Sequence, residues 1–321
     1  MALTEMEGLT VLKLDKTEIG KDGSAAICKA CAHSAKTLRM LTLGHNNIGP
    51  EGAVSVMALL SNPENCLEVL DLTCTGAFVG DVLAMLGGAH AQSLVEFRAG
   101  GNKFAPKKVL NAKEGFKPVP ALAEFSRSTP LLQLLDVSGT AIPLPALESI
   151  MVAVQKISPR SAGEDTGFAL HAARCDLGQS QQAMGLLAGT LALMGSMTEL
   201  ALEGNEFVDN DLAALLLSLA TNQTLITLRL DKSIPSRSVG RDETMGALTS
   251  LLESKQSRLQ VLSIAQCRLK RGASAVLQSL GENTQLHTLD LSGNSMGDTG
   301  ASALAALLHT NRGLTTIMWG R

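Results

Sequence analysis

The densest grouping of reactive side chains in the chain is "CKACAH", Cys28 to His33, where two thiols and an imidazole fall within six residues. A four-ligand zinc site needs a second such pair, and haem attachment needs His directly after the second Cys, where Ala32 stands instead. On a helix Cys28 and Cys31 share a face with Ala25, Ala26 and Ala32, so core or groove packing is the expected role. Elsewhere His, Asp and Ser occur without a GxSxG elbow, an HExxH pair or a phosphate-gripping GxxxxGK loop. "GRDETMG" around Arg241 carries charge without such a context. No catalytic residue, metal site or cofactor is expected from these motifs.

The elements that hold these residues follow from an internal repeat, LxxLxLxxN, the first thing to look for in a chain of this length. Starts fall at Leu9, Leu38, Leu67, Leu94, Leu132, Gly167, Met197, Leu225, Leu259, Leu286 and Leu314, at intervals of 27 to 38 residues. Eight residues after the first ten starts stand Thr17, Asn46, Thr75, Asn102, Thr140, Cys175, Asn205, Ser233, Cys267 and Asn294, each able to donate a hydrogen bond. In "LDLSGNSMGD", from Leu289, Gly293 permits a turn after the strand and Asn294 supplies a donor for carbonyls that the buried turn leaves unpaired. Asn46, Asn102, Asn205, Cys267 and Asn294 are the principal rungs of this expected ladder. Each turn is followed by a helical pattern, as in "DTGASALAALLHTNRG", where Leu304, Leu307 and Leu308 form the apolar stripe. Asp298 is expected to open that helix and Asn311 to Gly313 to close it.

Strand, turn and helix at about 28 residues is the long form of the leucine-rich repeat. The expected fold is therefore an α/β solenoid, a horseshoe with a parallel concave sheet and convex helices, about ten to eleven repeats in a single domain spanning 1–321. Both ends look cut, which suggests a segment of a longer protein. Alternate strand residues must point away from the core, and at the central position they run Lys13, Thr42, Asp71, Arg98, Asp136, His171, Ala201, Arg229, Ser263 and Asp290. Arg98, Asp136, His171, Arg174 and Arg229 are the partner-binding candidates on this face, since Arg is favoured at interface centres.

Three stretches break the period, near 103–130, 155–166 and 231–243. The first has five lysines against one glutamate before Pro118, and Lys107, Lys108, Lys113 and Lys117 make it a candidate contact for an acidic partner or lipid headgroups. The other two, rich in Ser, Pro, Gly and charge, read as surface loops.

Composition narrows the partners. A net charge of -3 offers no broad attraction to nucleic acid, and 2% aromatic residues with no tyrosine leave little on which bases could stack. "MALTEMEGL" lacks the pattern of a signal peptide, and "AMGLLAGTLALMGSM" from Ala183 fits an outer helix better than a membrane span. Six cysteines, four at repeat positions where a small buried thiol is expected, point to a reducing, cytoplasmic compartment.

The stretch from Leu262 to Arg321 is more specific. Gly293, Asn294, Met296, Gly297, Asp298, Gly300 and Ala301, then Asn311, then Ile317 and Trp319, resemble in order a turn, helix cap and strand of the CARMIL family (capping protein, Arp2/3 and myosin-I linker). The close match covers about 60 residues, and the rest matches as a helical repeat array. Gly320 and Arg321 depart from the family's usual continuation, and the 103–130 stretch is not placed by the resemblance. The resemblance implies a non-enzymatic scaffold of the actin cytoskeleton that engages capping protein through regions outside this chain, and membrane through a flanking domain. It implies a cytoplasmic setting at membrane or cytoskeleton, with this segment as a rigid arm. A second resemblance, to the Ran GTPase-activating proteins, would make the chain a regulator of a small GTPase, although no acidic tail is visible. A third, to the sensing repeats of innate immune receptors, would require a nucleotide-binding domain upstream.

Overall fold

Across the repeats the third and fifth positions after the start are apolar and, in all but the first and last, buried, while the second and fourth are mostly more exposed, the period-two pattern of a strand buried on one face. Among the described residues the chain forms eleven short strands, each ending at the fourth position after a repeat start. The computed structural model describes residues 8–111, 117–118, 120–157, 167–179, 181–193, 195–207, 209–234 and 241–320. These divide into two compact units, Met1–His171 and Ala172–Arg321.

The first unit carries β1 (Val11–Lys13), β2 (Met40–Thr42), β3 (Val69–Asp71), β4 (Glu96–Arg98), β5 (Leu134–Asp136) and β6 (Phe168–His171). Its helices are α1 (Lys21–Cys31), α2 (Gly49–Leu60), α3 (Val79–Leu86), α4 (Lys107–Leu110), α5 (Phe125–Ser128) and α6 (Leu144–Gln155). The strands pair in parallel in chain order, with every residue opposite its repeat equivalent, such as Leu41 beside Leu12 and Leu70. Leu41, Leu70, Phe97 and Leu135 are wholly buried between sheet and helices. Each such side chain contributes roughly 1.5–3 kcal/mol by leaving water. Where the third position carries the larger Phe97, the fifth carries Ala99 instead of leucine, so the volume of that layer is kept.

The second unit repeats the plan with β7 (Met197–Ala201), β8 (Thr227–Arg229), β9 (Val261–Ser263), β10 (Thr288–Asp290) and β11 (Thr316–Met318). Its helices are α7 (Gln181–Leu193), α8 (Asp209–Leu219), α9 (Arg241–Glu253), α10 (Ala273–Ser279) and α11 (Gly297–Thr310). Its strands are again parallel and in register, with Leu200, Leu228, Leu262 and Leu289 fully buried. Among the described residues no helix is long and apolar enough to cross a membrane.

Several local expectations need correction. Asp298 does not cap α11, because the helix begins at Gly297 and Met296 occupies the capping position; Asp298 lies in the first turn, where its charge faces the positive end of the helix dipole. Leu308 is 62% exposed rather than part of the buried stripe, and only Leu307 of that stripe is fully buried. The stretch near 103–130 is not simply an inserted loop. Phe104 and Phe125 are buried, and residues 120–128 form a short 3-10 turn and α5 that pack against α3 and α6, taking the place of that repeat's outer helix. In the other two stretches, Gln155 closes α6 and Arg241 to Glu243 open α9, while 158–166 and 235–240 lie outside the described residues.

Candidate binding surface

The open face of the first sheet, turned away from the helices, is organised in rows because equivalent residues stand opposite one another. Asp71 lies beside Arg98, Arg98 beside Asp136, and Asp136 beside His171. Three of the five candidates are thereby brought into one row of alternating polarity, each half-buried. Arg98 is anchored from within its own strand, Nη2 lying 2.7 Å from Glu96 Oε2. Asp71 and Asp136 each use Oδ1 to accept the backbone N–H two residues on, from Thr73 at 2.8 Å and Ser138 at 2.9 Å. These turn bonds fix both carboxylates through one oxygen each.

Parallel to the charged row runs an apolar one, Val11, Met40, Val69, Leu134 and Ala169, interrupted by Glu96. Its members are half-buried, or in Val11 exposed.

Arg174 and Arg229 belong to the second unit and do not share that row. Arg229 is exposed on β8, its Nε 3.1 Å from Glu199 Oε1 on β7. Arg174 is not on a strand: it occupies the turn with φ of 52°, exposed, its stem lying over Gly204. Not every central position is open. Thr42 and Ser263 are buried because an aspartate from the preceding repeat folds over each. Asp15 accepts from Thr42 Oγ1 at 2.5 Å and from Gly44 N at 2.8 Å, and Asp231 from Ser263 Oγ at 2.5 Å and Ala265 N at 2.8 Å. These two clips were not anticipated; their signal is an aspartate six after one start, with a hydroxyl four and a small residue six after the next.

Behind this face the ladder positions tie repeats together. Asn102 Oδ1 accepts from Thr75 N and Gly76 N, both at 2.8 Å, while Nδ2 donates to Leu72 O at 2.7 Å and Ala99 O at 2.9 Å. Asn46, Asn205 and Asn294 also make four bonds, accepting from the preceding rung residue and the residue two beyond it (Ile19, Leu177, Leu269), so each amide serves both its own turn and that of the preceding repeat. Cys267 Sγ donates to Leu230 O at 3.3 Å. A second asparagine series lies at the helix ends, three residues before a start: Asn222, Asn283 and Asn311 each accept two N–H bonds from the following turn and donate to a carbonyl one repeat back. Only the Asn311 member had a sequence expectation; the signal for the others is the recurring N-x-x-L at 222, 283 and 311.

The seventh position after each start has positive φ in all ten repeats, with Lys16, His45, Cys74, Arg174, Lys232 and Gln266 adopting it alongside Gly101, Gly139, Gly204 and Gly293. Backbone conformation therefore does not by itself demand glycine here. Gly101, Gly204 and Gly293 each follow a repeat whose seventh residue has a side chain, and a Cβ would run into Cys74 Sγ, or lie 2.8 Å from Arg174 Cγ and 2.7 Å from Gln266 Cγ.

Cys28 and Cys31 are buried in α1, and burial pushes the Cys28 thiol up to about 12, with Cys31 also raised by desolvation. Among the described residues no group of three or more His, Cys, Asp or Glu is placed to hold a metal ion. Cys175 and Cys267 are buried, whereas Cys74 is exposed because its turn position faces solvent. Of the basic candidates, Lys107, Lys108 and Lys117 are exposed and Lys113 lies outside the described residues. A hollow of about 710 Å³ beside the ends of α9 and α10 is lined by Glu253, Lys255, Glu282 and Asn283 and contains neither His nor Cys.

Comparison with known proteins agrees with this geometry. A Leucine Rich repeat family model matches residues 34–57 and 282–305. "Capping protein, Arp2/3 and myosin-I linker protein 3" of Mus musculus is 32% identical over 98% of this chain. Mus musculus "Capping protein, Arp2/3 and myosin-I linker protein 2" is 29% identical over 91%, and "Protein CARMIL" of Dictyostelium discoideum 26% over 89%. The chain spans 22%, 22% and 26% of the length of these relatives.

Proposed function

For a chain that is a CARMIL-like leucine-rich repeat domain, we propose the role of a non-catalytic protein-interaction arm, a single repeat domain whose partner docks on the open sheet face. The observation that carries this is the row Asp71, Arg98, Asp136 and His171: ionisable side chains, the first three held by turn bonds and an ion pair, beside half-exposed apolar residues. Pre-positioned polar groups beside apolar surface are what a protein interface needs, because little side-chain freedom is lost on binding. Arg174 and Arg229 are candidate contacts of the second unit, taken by itself. The names of the relatives support an actin-regulatory setting, in which the longer protein acts on capping protein through regions outside this chain, in the cytoplasm near membrane or cytoskeleton. Lys107, Lys108, Lys113 and Lys117 are an additional contact for an acidic surface. Asn46, Asn102, Asn205, Cys267 and Asn294 serve as the structural ladder beneath.

The experiment replaces Arg98, Asp136, His171 and Arg229 together by Ala and measures recovery of partners by the intact parent protein. Loss of a partner with unchanged circular dichroism supports the reading. Unchanged recovery overturns it.

A further inference from the structure

The spacing of the charged row selects the shape of what binds it. Resting on the open-face reading above, we propose that the first unit's sheet docks an amphipathic α-helix laid across β3 to β6, carrying a basic residue at i, an acidic one at i+3, a basic one at i+7 and an acceptor at i+10. Adjacent strands are ~4.8 Å apart, so Asp71, Arg98, Asp136 and His171 sit at about 0, 4.8, 9.6 and 14.4 Å along the row. A helix rises ~1.5 Å per residue, which places i, i+3, i+7 and i+10 at about 0, 4.5, 10.5 and 15 Å on one face. The two series agree to about 1 Å across all four rungs.

An extended segment does not fit. Its same-face residues recur every ~6.7 Å, and the mismatch with the strands grows by about 2 Å per rung.

The charge order follows from the row itself. Asp71 and Asp136 each spend one oxygen on a turn and keep the other for a cation, while Arg98 gives Nη2 to Glu96 and retains donors for a second carboxylate. His171 provides the fourth rung. Two residues back along the same strands, about 7 Å away and within the ~10 Å breadth of a helix, stand Val69, Leu134 and Ala169, with Glu96, the partner of Arg98, between the first two. On the other flank Gly44, Thr73, Gly100 and Ser138 are small and leave room for the helix's width.

The test uses the full chain and two labelled helical peptides of identical composition and apolar stripe. One has the charge order Lys, Glu, Lys, Glu at i, i+3, i+7 and i+10; the other has the reverse order. Fluorescence anisotropy at low and moderate salt should show the first binding about tenfold more tightly, the difference shrinking as salt rises. The triple variant D71K/R98E/D136K, checked for folding by circular dichroism, should reverse the preference. R98A is the milder control, and should cut the discrimination to about threefold. Equal affinities, or a preference that none of these substitutions moves, overturns the helix proposal. If that occurs while the four-alanine variant still loses its partner, the open-face reading stands and only the helical occupant falls. If the four-alanine variant keeps its partner, both fall.

Discussion

Removing the Asn102 amide gives the sharpest check on how the repeats are joined. The side chain is 5% exposed and makes four bonds of 2.7 to 2.9 Å, one within its own repeat, to Ala99 O, and three to the preceding repeat. In Asn102→Ala the N–H groups of Thr75 and Gly76 and the carbonyls of Leu72 and Ala99 all lose a partner. At a net ~1 kcal/mol per bond, with a further penalty for groups that water cannot reach, the expected loss is about 4–6 kcal/mol. Asn102→Thr should fall between. At the same position one repeat earlier, Thr75 Oγ1 donates to Leu72 O at 2.8 Å, so a threonine serves its own turn and abandons the acceptor bonds to the neighbour. Hydrogen exchange at Thr75 and Gly76, read with urea unfolding by circular dichroism, separates the local from the global effect. Wild type, threonine and alanine should rank in that order in both measurements. An alanine variant within about 1 kcal/mol of wild type, or unchanged protection of those two amides, would refute the reasoning.

Further outcomes follow from burial and close approach. Alkylation at neutral pH should label Cys74 rapidly and leave Cys28 and Cys31 intact until unfolding, since burial holds both as thiols. Because the folded Cys28 value is raised to about 12 from 9.0, the unfolded chain binds fewer protons between those limits; stability should be flat below pH 9 and fall above it, which alkaline urea titrations would read. Gly178→Ala should destabilise the second unit by several kcal/mol, about 3 or more, because a Cβ there overlaps the Asn205 carbonyl oxygen and lies 2.5 Å from that of Glu206; melting curves decide it. Leu307→Ala should cost about 2–4 kcal/mol, whereas Leu308→Lys should change stability by less than about 0.5 kcal/mol, as the first side chain is buried and the second 62% exposed.

The sequence alone determined the repeat. Apolar residues at fixed intervals can be buried only if the chain alternates at period two and returns to the same register each time, so the eleven strands lie where the starts place them. The donors eight residues on occupy an equivalent spot for the same reason. Which side chains stand free on the open face was decided only by tertiary contacts. Thr42 and Ser263 have the same place in the repeat as Arg98, yet Asp15 and Asp231 reach across from the turn of the preceding repeat and accept from their hydroxyls. Arg174 was grouped with Arg98 by charge, but its turn backbone carries it off the strand. Phe104 and Phe125, in what reads as an inserted basic stretch, are buried, and the elements at 120–128 pack against α3 and α6 in the helical layer. Periodicity records which residues must face inward. It does not record which neighbour, one repeat away and some 30 residues distant in sequence, will lean over those that face outward.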